Sequence, residues 1–105
     1  MKERIYKLSE EDYAALADEI RERLTYPCYF TGTVTATGRG GESLCFTASL
    51  ILYRRRIPDI TQYDAHDTIY AVVPVWWDFF CEDEEGIRLD DFDFNKLRNH
   101  LIEEE

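Results

Sequence analysis

Arg54, Arg55 and Arg56 form the one basic run in this 105-residue chain, and adjacent guanidiniums are groups that hold phosphate. With Tyr53, Tyr70 and Trp76 they would suit a sheet surface on which unpaired bases stack while arginines grip the backbone, as in a single-strand nucleic-acid binder. The opposing reading is that they neutralise Glu82 to Glu85 and Asp90 to Asp93, or frame a loop. The chain carries 12 basic and 22 acidic side chains, a net charge of -10. A field of that sign repels phosphate backbones, so the second reading is preferred and no nucleic-acid partner is expected.

The acidic stretch CEDEEGIRLDDFDFN raises the chemistry of calcium. Counted from Asp91, Asp93 and Asn95 fit the third and fifth positions of a calcium loop. Lys96, however, stands where glycine is needed, and Ile102 where a bidentate glutamate is needed. A solvated turn followed by a helix N-cap accounts better for these carboxylates, which the helix dipole stabilises. His66 and His100 are the two histidines, and each has a cysteine or Asp64, Asp67 or Asp93 as a conceivable partner. None of Cys28, Cys45 and Cys81 sits in a nucleophile elbow or a CxxC, so the expectation is reduced, buried thiols and no enzyme, no metal and no cofactor. Gly38, Gly40 and Gly41 precede no helix and read as a hairpin turn rather than a phosphate cradle.

The elements that position these groups follow from periodicity. Ser9 is a good N-cap with Asp12 three residues on, and Tyr13, Leu16, Ala17, Ile20 and Leu24 recur at helical spacing, which predicts a helix over 10–24 closed by Pro27. Residues 28–37 and 43–53 alternate, with Phe30, Val34, Leu44, Phe46, Ala48 and Leu50 on one parity and a threonine-rich set on the other: a β-hairpin with one core face. The stretch 54–66 breaks the pattern and reads as a long loop. A third strand is expected over 68–80 and a short fourth around Ile87 and Leu89. A last helix, capped by Asp91 or Asp93, has the stripe Phe94, Leu97 and Leu101.

The expected class is therefore α+β in the order α-β-β-β-(β)-α. It is one domain over residues 1–105, an antiparallel meander of three or four strands with both helices on one face. The order is topologically similar to the double-stranded-RNA-binding domain, but the basic loop and helix start that such domains place on phosphates are missing here and the charge is reversed. Small acidic secretion chaperones, which often dimerise, are similar in having an initial helix followed by three strands.

The most informative stretch is VVPVWWDFF, residues 72–80, apolar on both parities. Simple alternation sends Ile69, Ala71, Val73, Val75, Trp77 and Phe79 to the core. It leaves Tyr70, Val72, Pro74, Trp76, Asp78 and Phe80 on the helix-free face beside Tyr53 and Ile51. A bulge at Pro74 would swap the parity and make Trp76 the core residue instead. An apolar patch on that face marks an interface with Tyr53, Tyr70, Val72, Trp76 and Phe80 as its anchors, unless the C-terminal segment or the 54–66 loop folds over it.

The expectation is a small acidic accessory protein that binds a protein partner or itself, as a homodimer, through that face. An acidic nucleic-acid mimic is the alternative, because residues 67–105 carry 12 acidic and 3 basic side chains. The single-strand binder is the second alternative. No stretch is long enough to span a membrane, and the N-terminus lacks the apolar core of a signal peptide, so the cytoplasm is the expected compartment.

Overall fold

A computed structural model describes residues 5–24, 29–58 and 65–102. Its elements are α1 (Glu10–Glu22), β1 (Tyr29–Thr37), β2 (Ser43–Pro58), β3 (Ala65–Asp83), β4 (Gly86–Arg88) and α2 (Phe94–Leu101). The strands form one antiparallel sheet in the order β1-β2-β3-β4, the expected α+β meander with its fourth strand present.

Helix α1 starts where its cap dictates. The Ser9 hydroxyl accepts from the Asp12 amide at 3.2 Å, and the Asp12 carboxylate accepts from the Ser9 amide at 3.0 Å. Buried Asp12 also accepts from the Tyr6 hydroxyl at 2.7 Å, which ties the chain ahead of the helix to its first turn. Tyr6 in turn bonds through its backbone to Leu89 and Asp91, bridging the N-terminal segment to the β4–α2 connection. Gly38 belongs to this knot as well, since a Cβ there would collide with the Tyr6 hydroxyl.

Replacing Asp12 by alanine strands the Tyr6 hydroxyl and the Ser9 amide together. The expected cost is about 1–3 kcal/mol, read as a lower urea midpoint with an unchanged slope.

Tyr13, Leu16, Ala17 and Ile20 of α1 and Phe94, Leu97 and Leu101 of α2 pack on the even-numbered residues of β1 and β2. Both helices thus lie on one face of the sheet. Asp93, rather than Asp91, caps α2, its carboxylate accepting from the Asn95 amide at 2.8 Å. Two contacts fix the helix pair: the Tyr13 hydroxyl accepts from the Asp93 amide at 3.0 Å, and His100 Nε2 lies 2.7 Å from Glu10.

In the region read as a long loop, the described residues are strand. β2 continues to Pro58 and β3 begins at Ala65, with Arg54 paired to Ile69 and Arg56 to Asp67. Ladder pairing outweighs the broken alternation there, because backbone hydrogen bonds do not depend on side-chain pattern. The described pairing of β1 ends at Ile51, and among the described residues β2 and β3 run on beyond that level as a two-stranded ribbon. At about 3.3 Å per residue, the 19 residues of β3 span about 60 Å. That length matches the longest dimension of the molecule, 60 × 25 × 18 Å.

Candidate interaction face

The register of β3 decides which aromatics are exposed. From Glu82 to Trp76 it pairs one for one with Ser43 to Ser49, which places Trp77 opposite Ala48 and Phe79 opposite Phe46, on the helix side. The pairing then slips, Leu50 facing Pro74, so Val75 is an extra residue on β3. Proline has no N–H to give to a ladder, and a bulge is how a strand accommodates it. A second slip lies between Tyr53 and Arg54 and passes over Tyr70.

Parity is therefore reversed only between the two bulges. Val72, expected on the open face, is buried on the helix side, whereas Val73 and Val75, expected in the core, are exposed. Trp76 stays on the open face, because the swap falls on the residues before the bulge rather than after it. Trp77 stays on the helix side. It is not a core residue, for it remains 41% exposed at the sheet margin while its ring stacks on Phe94 at 5.7 Å and meets Phe92 at 5.2 Å.

Three-strand rows on the helix-free face follow from the pairings. Tyr29, Ile51 and Val73 make one; Thr31, Ser49 and Trp76 the next; then Thr33, Thr47 and Asp78; then Thr35, Cys45 and Phe80. One half of the face is thus apolar and the other is hydroxyl-rich. In the apolar half Trp76 is 51% exposed, Tyr29 47%, Val73 46%, Tyr53 44% and Tyr70 39%. The rings of Tyr53 and Tyr70 are 6.3 Å apart. Phe80 is only partly exposed. In the other half the hydroxyls bond to one another, Thr33 to Thr47 at 2.8 Å and Thr31 to Ser49 at 3.2 Å.

None of the described residues folds over this face, since the C-terminal helix lies on the other side and residues 54–58 and 65–66 belong to the strands. Tyr29 and the exposed Val73 and Val75 are members that alternation alone did not find. Pro74 was the signal for the last two.

The remaining candidates separate. Arg54 has the parity of Leu50 and Leu52 and so stands on the face opposite to Tyr53, which divides the guanidinium from the rings a base would stack on. Arg54 is also eleven positions along β2 from Ser43, the partner of Glu82, a separation of about 36 Å. The acidic turn is instead held by Arg88, 3.2 Å from Asp83 and 3.6 Å from Glu42.

His100 meets Glu10 and stacks on Tyr13, away from any cysteine among the described residues. A surface depression is lined by Glu10, Lys96, Asn99 and His100. The side chains of His66, Arg55 and Arg56 lie outside what the structure describes, as does Cys28. Among the described residues no three His, Cys, Asp or Glu side chains gather as a metal site would require.

Cys45 lies on the open face opposite Phe80, and Cys81 is buried opposite Leu44. Burial pushes the Cys81 thiol up to about 11 from an ordinary 9.0, and burial also raises Cys45 and Tyr13. The folded chain holds these protons more tightly than the unfolded one. Stability is therefore full below pH 9 and is expected to fall as pH rises from about 9 to 11. Urea midpoints at pH 8 and pH 10.5 read this loss directly; equal midpoints would contradict it.

Comparison with protein-family models, with curated proteins and with solved structures returned no match. What the face can bind is decided by its shape, its charge and its exposed rings.

Proposed function

We propose that this chain is a small acidic accessory protein that binds a protein surface, another chain's or its own, through the helix-free face. The observation that carries the reading is the set Tyr29, Tyr53, Tyr70, Val73 and Trp76, exposed together on one face of a packed sheet. Four aromatic side chains, each open by 39–51% of about 200 Å², contribute on the order of 350 Å² of ring surface. That is already the size of the largest patch on a typical monomer, before Val73 and Ile51 are added. Trp and Tyr are also the residues from which binding energy most often comes.

The hydroxyl half supports the same reading. Covering a polar surface is costly when donors and acceptors lose water without replacement. Here Thr33 and Thr47, and Thr31 and Ser49, already satisfy one another across β1 and β2, so a partner can cover them at reduced cost. Binding rather than catalysis is the proposed role. A reducing compartment such as the cytoplasm suits the free Cys45 and Cys81.

The test is capture from native extract by the wild type and by Trp76→Asp side by side, at low and high salt. Proteins retained by the wild type at high salt and lost with the variant support the reading. Retention that is equal for both and vanishes at high salt would instead favour the acidic end as a mimic of nucleic acid.

A further inference from the structure

The chain exposes 7399 Å² of surface, whereas a compact monomer of its 12.4 kDa exposes about 6,100 Å². Its radius of gyration is 15.9 Å, against about 13 Å for a compact chain of 105 residues. The surface excess is about 1,300 Å², and a standard interface removes about 800 Å² from each partner. The fold thus leaves open at least as much surface as a stable dimer covers.

We infer that a second copy of this chain covers the face. The two sheets pack face to face with their strands antiparallel, crossing at the level of Ile51 and Val73. This rests on the reading that the helix-free face is an interface, and it names the occupant. Two copies of a sheet can meet about a two-fold axis lying between them, roughly 10 Å apart, and only certain axes match apolar to apolar. An axis across the strands at the Ile51 level does so, because the Tyr29–Ile51–Val73 row then meets its own counterpart and Trp76, one row from the axis, meets the Tyr53 level of the other copy. An axis along the strands does so too, but with a different electrostatic result.

Charge decides between them. Residues 82–93 carry seven acidic side chains and one basic, at the end of β3 remote from the ribbon. An axis along the strands would lay the two acidic ends on each other. With the axis across the strands those ends point apart by about 50 Å, far beyond the screening length of about 8–10 Å. The ribbon, which no strand among the described residues flanks beyond Ile51, becomes the part that reaches over the other copy's hydroxyl rows.

Sedimentation equilibrium of the full chain at tens of micromolar is expected to give twice 12.4 kDa, at low and at high salt. Trp76→Asp and Val73→Lys should each give the monomer mass with unchanged far-UV circular dichroism. Ile87→Asp, on the same face but beside Glu82 at the acidic end, about 26 Å from the crossing, should remain dimeric. The crossing point is read by oxidation: Ile51→Cys combined with Cys45→Ser should form a disulfide-linked dimer, while the wild type should not link through Cys45.

A wild-type monomer at every concentration overturns the second copy as occupant, and the reading of the face as an interface then stands or falls on the Trp76-dependent capture described above. A dimer unaffected by Trp76→Asp and Val73→Lys overturns both the inference and that reading. Linkage of the wild type through Cys45 overturns the antiparallel crossing, whether or not Ile51→Cys also links, because only an axis along the strands brings Cys45 onto its own counterpart.

Discussion

Phe46→Ala is expected to cost about 3–5 kcal/mol, which is much of the total stability of a domain of this size. Phe46 is fully buried on the central strand β2. Its ring lies 5.5 Å from Phe92, 6.3 Å from Phe94 and 6.3 Å from Trp77, so one residue joins the sheet to the start of α2. Phe92 in turn stacks on Phe79 at 4.3 Å and meets Tyr13 of α1 at 5.8 Å. Truncation leaves a cavity among stiff rings that cannot collapse into it, which places the change at the upper end of core substitutions. Equilibrium urea unfolding would show it; a loss below 1 kcal/mol would mean that the cluster is not the keystone of the core.

Trp76→Asp is expected to have the opposite character, with the fold kept and association lost. The side chain is half-exposed and bonds to no core residue, so the carboxylate stays in water and the monomer loses little. In the assembled state it would be a desolvated charge in place of an anchor ring, close to Asp78 in the next row. Loss of a central aromatic anchor costs 2 kcal/mol or more, about 30-fold in affinity, and an unpaired buried carboxylate adds to it. Unfolding of the free monomer by this change would show that the face is already covered within the chain. Trp77 offers the contrast. Its ring is part of the Phe92 and Phe94 cluster, so changes there act through α2 and the core margin rather than through the open face.

The helices were legible because their signals are local. Ser9 with Asp12, and the 3.6-residue stripe from Tyr13 to Ile20, fix α1 without reference to the rest of the chain. Its end at Glu22, short of Leu24, is a matter of tertiary fit. Alternation gave β1 and the first part of β2 correctly, since one face is core and the other water. β3 was only half legible. Pro74 announced a bulge, but whether the slip moves Trp76 or Val72 depends on which side of the proline is pinned to β2, and that is a property of the pairing. The ribbon was missed because Arg54 to Arg56 break the side-chain pattern while the backbone continues to pair. His100 and Glu10, ninety positions apart, are brought together only by the packing of α1 against α2.

The most direct test of the face as an interface is acrylamide quenching of Trp76 fluorescence in a Trp77→Phe variant, where it is the sole indole. The variant would be measured in its assembled state and after dilution or the Val73→Lys change has dispersed it. Strong protection of Trp76 in the assembly, lost on dispersal, is the predicted result. Equal quenching in both states would place the contact elsewhere and contradict the account.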